Sequence, residues 1–327
     1  MSKKFNVAII GASGLIGRKF IEVLEKRNFP IKNLKLFASE KSIGKNLIAF
    51  GNEIPLERLS EKSFENVDLA FFSAGKEISL KYAPIAQKCG TYVVDNSSAF
   101  RLFDKVPLII PEINGNDLAD FEGKIISNPN CSTAIALLPL FYLHKRYQLK
   151  RVIYTTYQGI SGCGQKGLND YKNCENGLIA QLFPINPTKN CIPKIGNFSE
   201  YGYTEEELKM IFETRKILGK DLPISATCVR VPVLNCHAVS VDAEFEKKVD
   251  DEDVKPILKK AKELALVDLP CQSQANGKDE IFVGRLKRSL AFKNGLSFYC
   301  VGDNTLKGAS LNAVQIAERL ISLGKLK

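Results

Sequence analysis

The chain has 327 residues, of which 45% are hydrophobic and 25% are charged, and its formal net charge is +10. This length is sufficient for two domains, and the composition is ordinary for a globular protein. No apolar run approaches the ~20 residues of a membrane-spanning helix, and the first residues lead into a strand-like run without the layout of a signal peptide. We therefore expect a cytoplasmic protein without a membrane partner.

The distribution of charge and cysteine excludes two further classes of function. Lysines and arginines are spread along the chain without a long basic block, so we expect no nucleic-acid partner. The positive charge fits a small anionic substrate instead. The nine cysteines are scattered and form no C-x-x-C pair, so we expect neither a metal site nor a disulfide framework.

The chain begins with a pattern typical of dinucleotide binding. A buried strand is predicted over residues 5–10, followed by a glycine-rich turn and a helix over residues 18–26. Gly11 permits the tight turn, Gly14 lets a pyrophosphate approach the helix N-terminus, and Gly17 lets helix and strand pack closely. The spacing is G-x-x-G-x-x-G rather than G-x-G-x-x-G. We predict a dinucleotide site; the alternative is a turn that merely packs a helix on a sheet.

The end of the second predicted strand, residues 34–38, bears on the choice of cofactor. A site for NAD usually has an acid there to bind the ribose 2′-hydroxyl. Glu40 is present, but Ser39, Lys41 and Ser42 surround it and suit a 2′-phosphate. We therefore favour NADP over NAD, with a solvated turn as the alternative.

Strands predicted over residues 67–72 and 92–94 flank a helix predicted over residues 78–89. This alternation predicts a Rossmann-like doubly wound parallel sheet, whose ligands bind beyond the carboxyl ends of the strands. The segment 95–101 follows such an end. It contains Arg101, a candidate anion ligand because its guanidinium matches phosphate.

A cysteine follows an Asn/Pro turn and precedes a helix-like run over residues 134–142. Asn128 or Asn130 is the expected cap of that helix. In the first helical turn, Cys131 faces unpaired N–H groups and the positive end of the helix dipole, and both favour the thiolate. Cys131 is therefore a candidate nucleophile, with a buried packing residue as the alternative.

The pattern changes after the polar connection that begins at residues 111–114. We predict a dinucleotide-binding domain over residues 1–127 and a catalytic and dimerisation domain over residues 128–306. A C-terminal helix over about residues 307–327 is expected to pack back on the first domain. The second domain is predicted to be α+β, with an open mixed sheet and helices on one face.

The elements of this second domain follow from period and capping signals. Helices are predicted over residues 165–181 and 203–218, the latter with a capping box formed by Thr204 and Glu207. The predicted strands are residues 151–157, 226–233, 237–245, 282–289 and 296–301, of which 226–233 and 237–245 are expected to be neighbours.

Only two histidines are available as a base for a cysteine nucleophile. His144 stands beside Lys145 and Arg146 near a helix end, which indicates a surface residue. His237 begins a predicted strand seven residues after Arg230 and is the better candidate.

Together these motifs resemble the aspartate-β-semialdehyde dehydrogenase family, over nearly the whole chain. Their order and spacing are far more specific than any single motif. The matching stretches are residues 11–17, 95–101, 127–133, 157–162, 206–209, Arg230 with His237, and 303–309.

The resemblance implies NADPH-dependent reductive dephosphorylation of L-4-aspartyl phosphate to L-aspartate 4-semialdehyde through a cysteine thioacyl intermediate (EC 1.2.1.11). It implies phosphate as a second small-molecule partner, a homodimer or homotetramer, and a place in lysine, threonine and methionine biosynthesis. A substrate with a carboxylate, an ammonium and a phosphate requires two cationic sites and one acid.

The resemblance also implies roles for individual residues. The catalytic set is Cys131, His237 and Gln158, and the substrate set is Arg230 for the α-carboxylate, Glu206 for the amino group, and Arg101 and Lys209 for phosphate. With the residues argued above, the cofactor set is Gly11, Ser13, Gly14, Leu15, Ile16, Ser39, Lys41, Ser42, Ser161, Gly162 and Asn304.

Three positions depart from the family pattern. Asn235-Cys236 precedes His237, where a small residue is frequent in one branch of the family. Lys41 stands where arginine is common, which weakens the preference for NADP because lysine offers a point charge rather than a fork. Cys163 is either an inert small residue, which we favour, or a redox-sensitive thiol.

Two alternative functions predict different residues at single positions of the site. A reductase of N-acetyl-glutamyl phosphate has a substrate with a blocked amine, so it needs no acid at the position of Glu206, and its cysteine stands in a different context. A non-catalytic relative is expected to lack Cys131 or His237, and both are present.

Overall fold

The computed structural model describes residues 3–326 and divides into two compact units. Unit 1 consists of the residues up to Pro129 together with those from Ala309 onward, and unit 2 is Asn130–Gly308. The described strands are β1 (Phe5–Ile10), β2 (Ile31–Ala38), β3 (Asn46–Ala49), β4 (Asn52–Arg58), β5 (Leu69–Phe72), β6 (Tyr92–Asp95), β7 (Ile125–Ser127), β8 (Leu149–Gln158), β9 (Ile224–Arg230), β10 (His237–Phe245), β11 (Leu264–Leu266), β12 (Ile281–Arg288) and β13 (Gly295–Gly302).

The α-helices are α1 (Leu15–Lys26), α2 (Lys76–Lys88), α3 (Pro111–Asn114), α4 (Cys131–Tyr147), α5 (Gly164–Glu175), α6 (Glu205–Leu218), α7 (Asp251–Lys259), α8 (Gln272–Ala275) and α9 (Leu311–Ser322). Short 3₁₀ turns occupy Glu40–Ser42, Glu61–Phe64, Gly115–Leu118 and Ile160–Cys163, and a π-helical turn at Leu306–Ser310 precedes α9. Within residues 3–326, no helix has both the length and the apolar character to cross a membrane.

Unit 1 is built on a seven-stranded sheet in the order β3-β4-β2-β1-β5-β6-β7. Its pairings are parallel except for β3 with β4. β1 and β5 are apolar and almost completely buried, as expected for central parallel strands covered on both faces. Phe20 of α1 stacks on Phe71 of β5 with ring centroids 4.8 Å apart. The prediction of a Rossmann-like sheet is confirmed.

Unit 2 is built on a six-stranded mixed sheet in the order β11-β12-β13-β10-β8-β9. Its central pairings are antiparallel, whereas β11 with β12 and β8 with β9 are parallel. The longer helices α4, α6 and α7 pack on one face. The other face carries the short helix α8 and half-exposed side chains such as Ile153 and Tyr157. The predicted α+β architecture is confirmed.

Two expectations for unit 2 are wrong. The segments 226–233 and 237–245 were expected to be neighbours, but β8 lies between β9 and β10. The helix predicted over residues 165–181 ends at Glu175. It ends there because Gly177 takes a φ of 84° and Leu178 N–H bonds back to Asn173, which closes the helix in a Schellman-type turn.

Candidate active site

The helix that carries the predicted nucleophile begins at Cys131. Asn130 is its N-cap, and its Oδ1 accepts hydrogen bonds from the N–H groups of Ser132 at 2.9 Å and Thr133 at 3.3 Å. The predicted capping by Asn130 is confirmed. Asn128 has a different role, because its Nδ2 donates to the carbonyl of Ala309 within unit 1. Cys131 is partly exposed at the positive end of a 17-residue helix.

Helix α6 brings an acid to this turn. Thr204 and Glu207 form the predicted capping box that starts α6, and this prediction is confirmed. In the first turn of α6, Oε1 of Glu206 accepts hydrogen bonds from Nδ2 of Asn130 at 2.8 Å and from Nε2 of Gln158 at 3.2 Å. The predicted catalytic and substrate residues Gln158 and Glu206 are therefore in contact in unit 2.

Glu206 remains an anion although it is 6% exposed. Burial raises the pKa of this carboxyl, but the Lys209 ammonium, the hydrogen bond from Asn130 and the nearby Arg230 outweigh burial and lower the pKa to about 2. Lys209 Nζ lies 3.0 Å from Oε2 of Glu206. The predicted amine and phosphate ligands thus form an ion pair on one helix face.

Two further predicted residues, His237 and Arg230, share one row of the sheet with Gln158. His237 pairs with Gln158 across β10 and β8, and Gln158 pairs with Arg230 across β8 and β9. Register partners on neighbouring strands point to the same face. The sheet of unit 2 therefore aligns His237, Gln158 and Arg230 side by side.

His237 is completely buried, and its Nδ1 accepts a hydrogen bond from Gly159 N–H at 3.1 Å. Among the described residues its Nε2 has no hydrogen-bond partner. Burial, followed by the charge of Arg230, lowers the pKa of His237 to about 3. The imidazole is therefore neutral at pH 7, with its proton on Nε2.

Arg230 is 4% exposed and donates from Nη1 to the carbonyl of Gly159 at 2.6 Å. Its backbone is fixed by two hydrogen bonds with Ile192. Gly162 passes close to this group: a Cβ built there would lie 2.7 Å from Nη1 of Arg230 and 3.0 Å from Nε2 of His237. Glycine at position 162 therefore leaves room that any other residue would fill.

Asn304 connects the predicted cofactor loop to His237. Its Oδ1 accepts from Ser161 Oγ at 3.1 Å and from the N–H of Cys236 at 2.9 Å. Cys236 is buried with a φ of 71°, a conformation that favours glycine. Burial raises the pKa of its thiol to about 12, so Cys236 stays a neutral packing residue.

Cys163 lines a cavity of about 640 Å³ together with Lys194 and Arg230. Burial raises the pKa of the Cys163 thiol. A raised pKa disfavours the reactive thiolate, which supports the interpretation of an inert residue.

In unit 1, the glycine-rich turn has the shape that a dinucleotide requires. Gly11 has a φ of 86°, and a Cβ on it would lie 2.9 Å from the backbone of Ser73. Gly14 is the N-cap of α1 and supplies no side-chain cap, so the first N–H groups of α1 are left for a ligand. Ser13, Leu15 and Ile16 are half-buried around this turn. The turn therefore fits a pyrophosphate.

Beside the end of β2 lies Arg58, a cation that the sequence pattern did not predict. Lys41 and Ser39 are exposed and Ser42 is half-buried in the 3₁₀ turn after β2. Glu40 is ion-paired with Arg58, the last residue of β4. The signal lay in β4, a polar strand that was not predicted, whose Arg58 pairs with Ala38 of β2.

Arg101 is 8% exposed in unit 1, and its Nη2 donates to the carbonyl of Asn96 at 3.0 Å. The buried Asp95 lies in the same segment, and burial raises the pKa of its carboxyl against the hydrogen bonds from Ser79 and Ser97. Within residues 3–326, no group of acidic, histidine and cysteine side chains has the arrangement of a metal site.

Comparisons with known proteins agree with this geometry. Residues 6–121 match the family model "Semialdehyde dehydrogenase, NAD binding domain", and residues 137–307 match "Semialdehyde dehydrogenase, dimerisation domain". The chain therefore belongs to the semialdehyde dehydrogenase family, a family of oxidoreductases.

Relatives that match over nearly the full length of the chain are aspartate-semialdehyde dehydrogenases. An aspartate-semialdehyde dehydrogenase of Aquifex aeolicus is 45% identical, with 98% of this chain and 99% of the relative covered. One of Bacillus subtilis is 40% identical, with 99% of both covered. The solved structure of Vibrio cholerae aspartate semialdehyde dehydrogenase II complexed with ASA is 40% identical, covers 98% of this chain and 99% of its own, and has a TM-score of 0.94. The resemblance stated from the sequence is confirmed.

Proposed function

We propose that this oxidoreductase is an NADP-dependent aspartate-semialdehyde dehydrogenase that reduces L-4-aspartyl phosphate to L-aspartate 4-semialdehyde. One observation carries the proposal. An ionised acid, Glu206, and a buried guanidinium, Arg230, lie in the same unit as a cysteine at a helix N-terminus. A substrate with a free amine and a carboxylate needs these two groups of opposite charge.

In this proposal Arg230 binds the α-carboxylate. Nη1 is held by the carbonyl of Gly159, which orients the planar guanidinium before substrate arrives. Glu206 binds the amino group with its charge, and Lys209 and Arg101 bind the phosphate. The blocked amine of an N-acetylated substrate would leave the Glu206 anion without a partner, which disfavours the related reductase.

Cys131 is the proposed nucleophile. In the biosynthetic direction its thiolate attacks the acyl phosphate, the C–O bond to phosphate breaks, and a thioacyl enzyme forms. The bound dinucleotide supplies the hydride that the reduction requires. The C–S bond of the resulting thiohemiacetal then breaks, which releases the aldehyde and restores the thiolate. Gln158, held by Glu206 and by Thr156 at 3.2 Å each, positions the reacting carbonyl.

His237 is the proposed acid/base, acting through Nε2. Because Gly159 N–H occupies Nδ1, the resting imidazole carries its proton on Nε2. It can therefore donate to an oxygen that gains negative charge in the tetrahedral adduct. In this proposal, the negative charge of the bound substrate favours the imidazolium form of His237 and raises its pKa above the value in the free site.

The cofactor is proposed to be NADP. In unit 1, Gly11, Ser13, Gly14, Leu15 and Ile16 would hold the pyrophosphate. Ser39, Lys41 and Ser42 would hold a 2′-phosphate, and the pairing of Glu40 with Arg58 supports this choice because it neutralises the acid of this turn that could bind a ribose hydroxyl. In unit 2, Ser161, Gly162 and Asn304 are the remaining proposed contacts.

We further propose that unit 1 is the dinucleotide-binding domain and unit 2 the catalytic and dimerisation domain of a homodimer or a homotetramer. The half-exposed sheet face of unit 2 with Ile153 and Tyr157 supports a partner there. The products would serve lysine, threonine and methionine biosynthesis in the cytoplasm.

The test is the reverse reaction, followed as NADP reduction by L-aspartate 4-semialdehyde at the nicotinamide absorbance. We expect activity that requires phosphate, is weaker with NAD, and is absent with N-acetylglutamate semialdehyde. Activity only with the acetylated substrate would move the chain to the sister function. Binding of cofactor without any turnover would indicate a non-catalytic relative.

A cysteine pair tests the nucleophile. Cys131→Ala is expected to abolish turnover while NADP still binds, as measured by calorimetry. Cys271→Ala is the matched control, because hydrogen bonds lower the pKa of that thiol, which favours the thiolate at a second place in unit 2. Substantial activity in Cys131→Ala would refute the assignment.

A further inference from the structure

Helix α6 presents three residues to the first turn of α4, spaced so that they share one helix face. Glu206 Oε1 accepts from Nδ2 of Asn130 at 2.8 Å. Met210 Sδ accepts from Oγ1 of Thr133 at 3.6 Å. Glu213 Oε2 accepts from the backbone N–H of Asn130 at 2.6 Å. The resemblance assigns a role to Glu206, whereas Glu213 has none.

The contact of Glu213 falls on the backbone N–H of Asn130, the residue directly before Cys131. Asn130 is the N-cap, so its φ of −58° and ψ of 144° set the direction in which α4 starts. Its side chain already holds Ser132 and Thr133. Two carboxyl groups thus fix its two donors, one on the side chain and one on the backbone.

The hydrogen bond of Glu213 matters structurally because this carboxyl group is buried. Glu213 is 1% exposed, and a buried carboxyl persists in a fold only where its hydrogen bonds hold it. The nearby Glu207 is also buried, at 8% exposed, but it accepts from the backbone N–H groups of Thr204 and Cys228. Glu207 therefore holds α6 itself and β9, whereas Glu213 holds the residue before the thiol.

We propose that Glu213 is a positioning residue for the Cys131 thiol: it fixes the peptide of Asn130, and through it the direction of attack. This inference rests on the proposed function, in which Cys131 is the nucleophile. A displacement of the order of 1 Å at a reacting atom is enough to lower a rate about 100-fold. The effect of losing Glu213 is therefore expected in kcat rather than in substrate affinity.

The test compares three substitutions of Glu213 with matched substitutions of Glu207. Glu213→Gln keeps the length and one acceptor oxygen, Glu213→Asp is one methylene shorter, and Glu213→Ala removes the acceptor. We expect kcat within about fivefold of the parent for Gln and at least about tenfold lower for Asp and Ala, with KM for L-aspartate 4-semialdehyde changed less than about threefold. Alkylation of Cys131 by iodoacetamide, followed by peptide mass spectrometry against pH, is expected to slow in the same order.

Glu207→Gln and Glu207→Ala are the controls. They lose buried hydrogen bonds and are expected to lower Tm, while kcat per folded molecule and the alkylation profile stay within about twofold. Should Glu213→Ala fail to fold, the order of Gln above Asp decides the matter.

Two outcomes overturn the inference. In one, the Glu213 variants keep the parental kcat and alkylation profile. In the other, they lose activity only in proportion to stability, as the Glu207 variants do. Failure of the proposed function is separate, because it is seen as retained turnover in Cys131→Ala whatever the Glu213 variants do.

Discussion

The backbone N–H of Gly159 lies 3.1 Å from Nδ1 of His237 and donates a hydrogen bond to it. The carbonyl of the same glycine accepts from Arg230 at 2.6 Å. The backbone N–H and carbonyl of Gly159 therefore hold the proposed acid/base and the proposed carboxylate ligand side by side. The N–H of Gly159 also favours the Nε2–H tautomer of the neutral histidine, because an N–H that points at Nδ1 disfavours a proton there.

The lowered pKa of His237 makes stability depend on pH. Burial and Arg230 depress this pKa from 6.5 to about 3 in the folded chain, so the unfolded chain binds the proton first as pH falls. The stabilisation by neutral His237 is complete above pH 6.5 and is lost as pH falls toward 3. For one such group, the loss between pH 7 and pH 5.5 is about 1 kcal/mol of unfolding free energy.

Urea unfolding of the parent and of His237→Asn at these two pH values measures the pH-dependent part of the unfolding free energy that His237 contributes. The parent is expected to lose about 1 kcal/mol more than the variant on acidification. His144, whose pKa is also lowered by burial and by Lys220, is present in both chains and cancels in the difference. Equal pH dependence in the two chains would contradict a depressed His237 pKa.

Gly162→Ala is expected to reduce kcat/KM at least about tenfold and to lower Tm, because two buried side chains must move. The added Cβ would lie 2.7 Å from Nη1 of Arg230 and 3.0 Å from Nε2 of His237 and would displace both groups. The control is Gly115→Ala in unit 1, where the nearest atom to an added Cβ is 3.6 Å away. Steady-state kinetics and thermal unfolding of the two variants give the comparison, and parental kinetics in Gly162→Ala would refute the crowding.

Arg230→Lys is expected to raise KM for L-aspartate 4-semialdehyde and to lower kcat. A guanidinium can donate to the carbonyl of Gly159 and still offer two parallel N–H groups to a carboxylate. A lysine ammonium lacks this fork, so the bidentate contact is lost. Arg151→Lys is the control, since Arg151 is half-exposed and its pair with Glu244 is expected to contribute little. If both variants keep parental kinetics, Arg230 does not bind the carboxylate.

Arg58→Ala is expected to weaken the discrimination for NADP against NAD. The substitution removes a cation and releases Glu40, which then repels a 2′-phosphate or binds a 2′-hydroxyl. The ratio of kcat/KM for the two cofactors is expected to fall about tenfold. Arg146→Ala, which removes an exposed arginine paired with Asp253 in unit 2, is the control and should leave the ratio unchanged.

Local signals in the sequence predicted part of the fold well. The strands at Phe5–Ile10 and His237–Phe245 have the predicted bounds, and the capping box at Thr204 starts its helix one residue on. β1 is a nearly continuous apolar run, β10 alternates apolar and polar side chains, and α6 has a capping box, and the fold reinforces each of these patterns. By contrast, β3 was missed because it is only four residues long, and β4 was missed because it is polar and largely exposed, with Pro55 inside it.

Local sequence patterns could not predict the order of the strands in the sheet of unit 2. Segments 226–233 and 237–245 follow each other closely, yet β8, about 70 residues earlier, pairs between them. For the same reason the contacts of Glu213 with Asn130 and of Arg58 with Glu40 were missed. Each joins residues on different elements, and nothing in either segment alone indicates its partner.

The sheet order of unit 2 has a consequence for biosynthesis of the chain itself. The whole proposed catalytic and substrate set of unit 2, from Cys131 to His237, is translated before β13. Yet β10 pairs with β13 along its length, and His237 is the register partner of Gly302. A nascent chain that already contains these side chains therefore lacks the strand that borders β10 on one side. We therefore expect the proposed thiol chemistry only after β13 has been translated and has paired with β10.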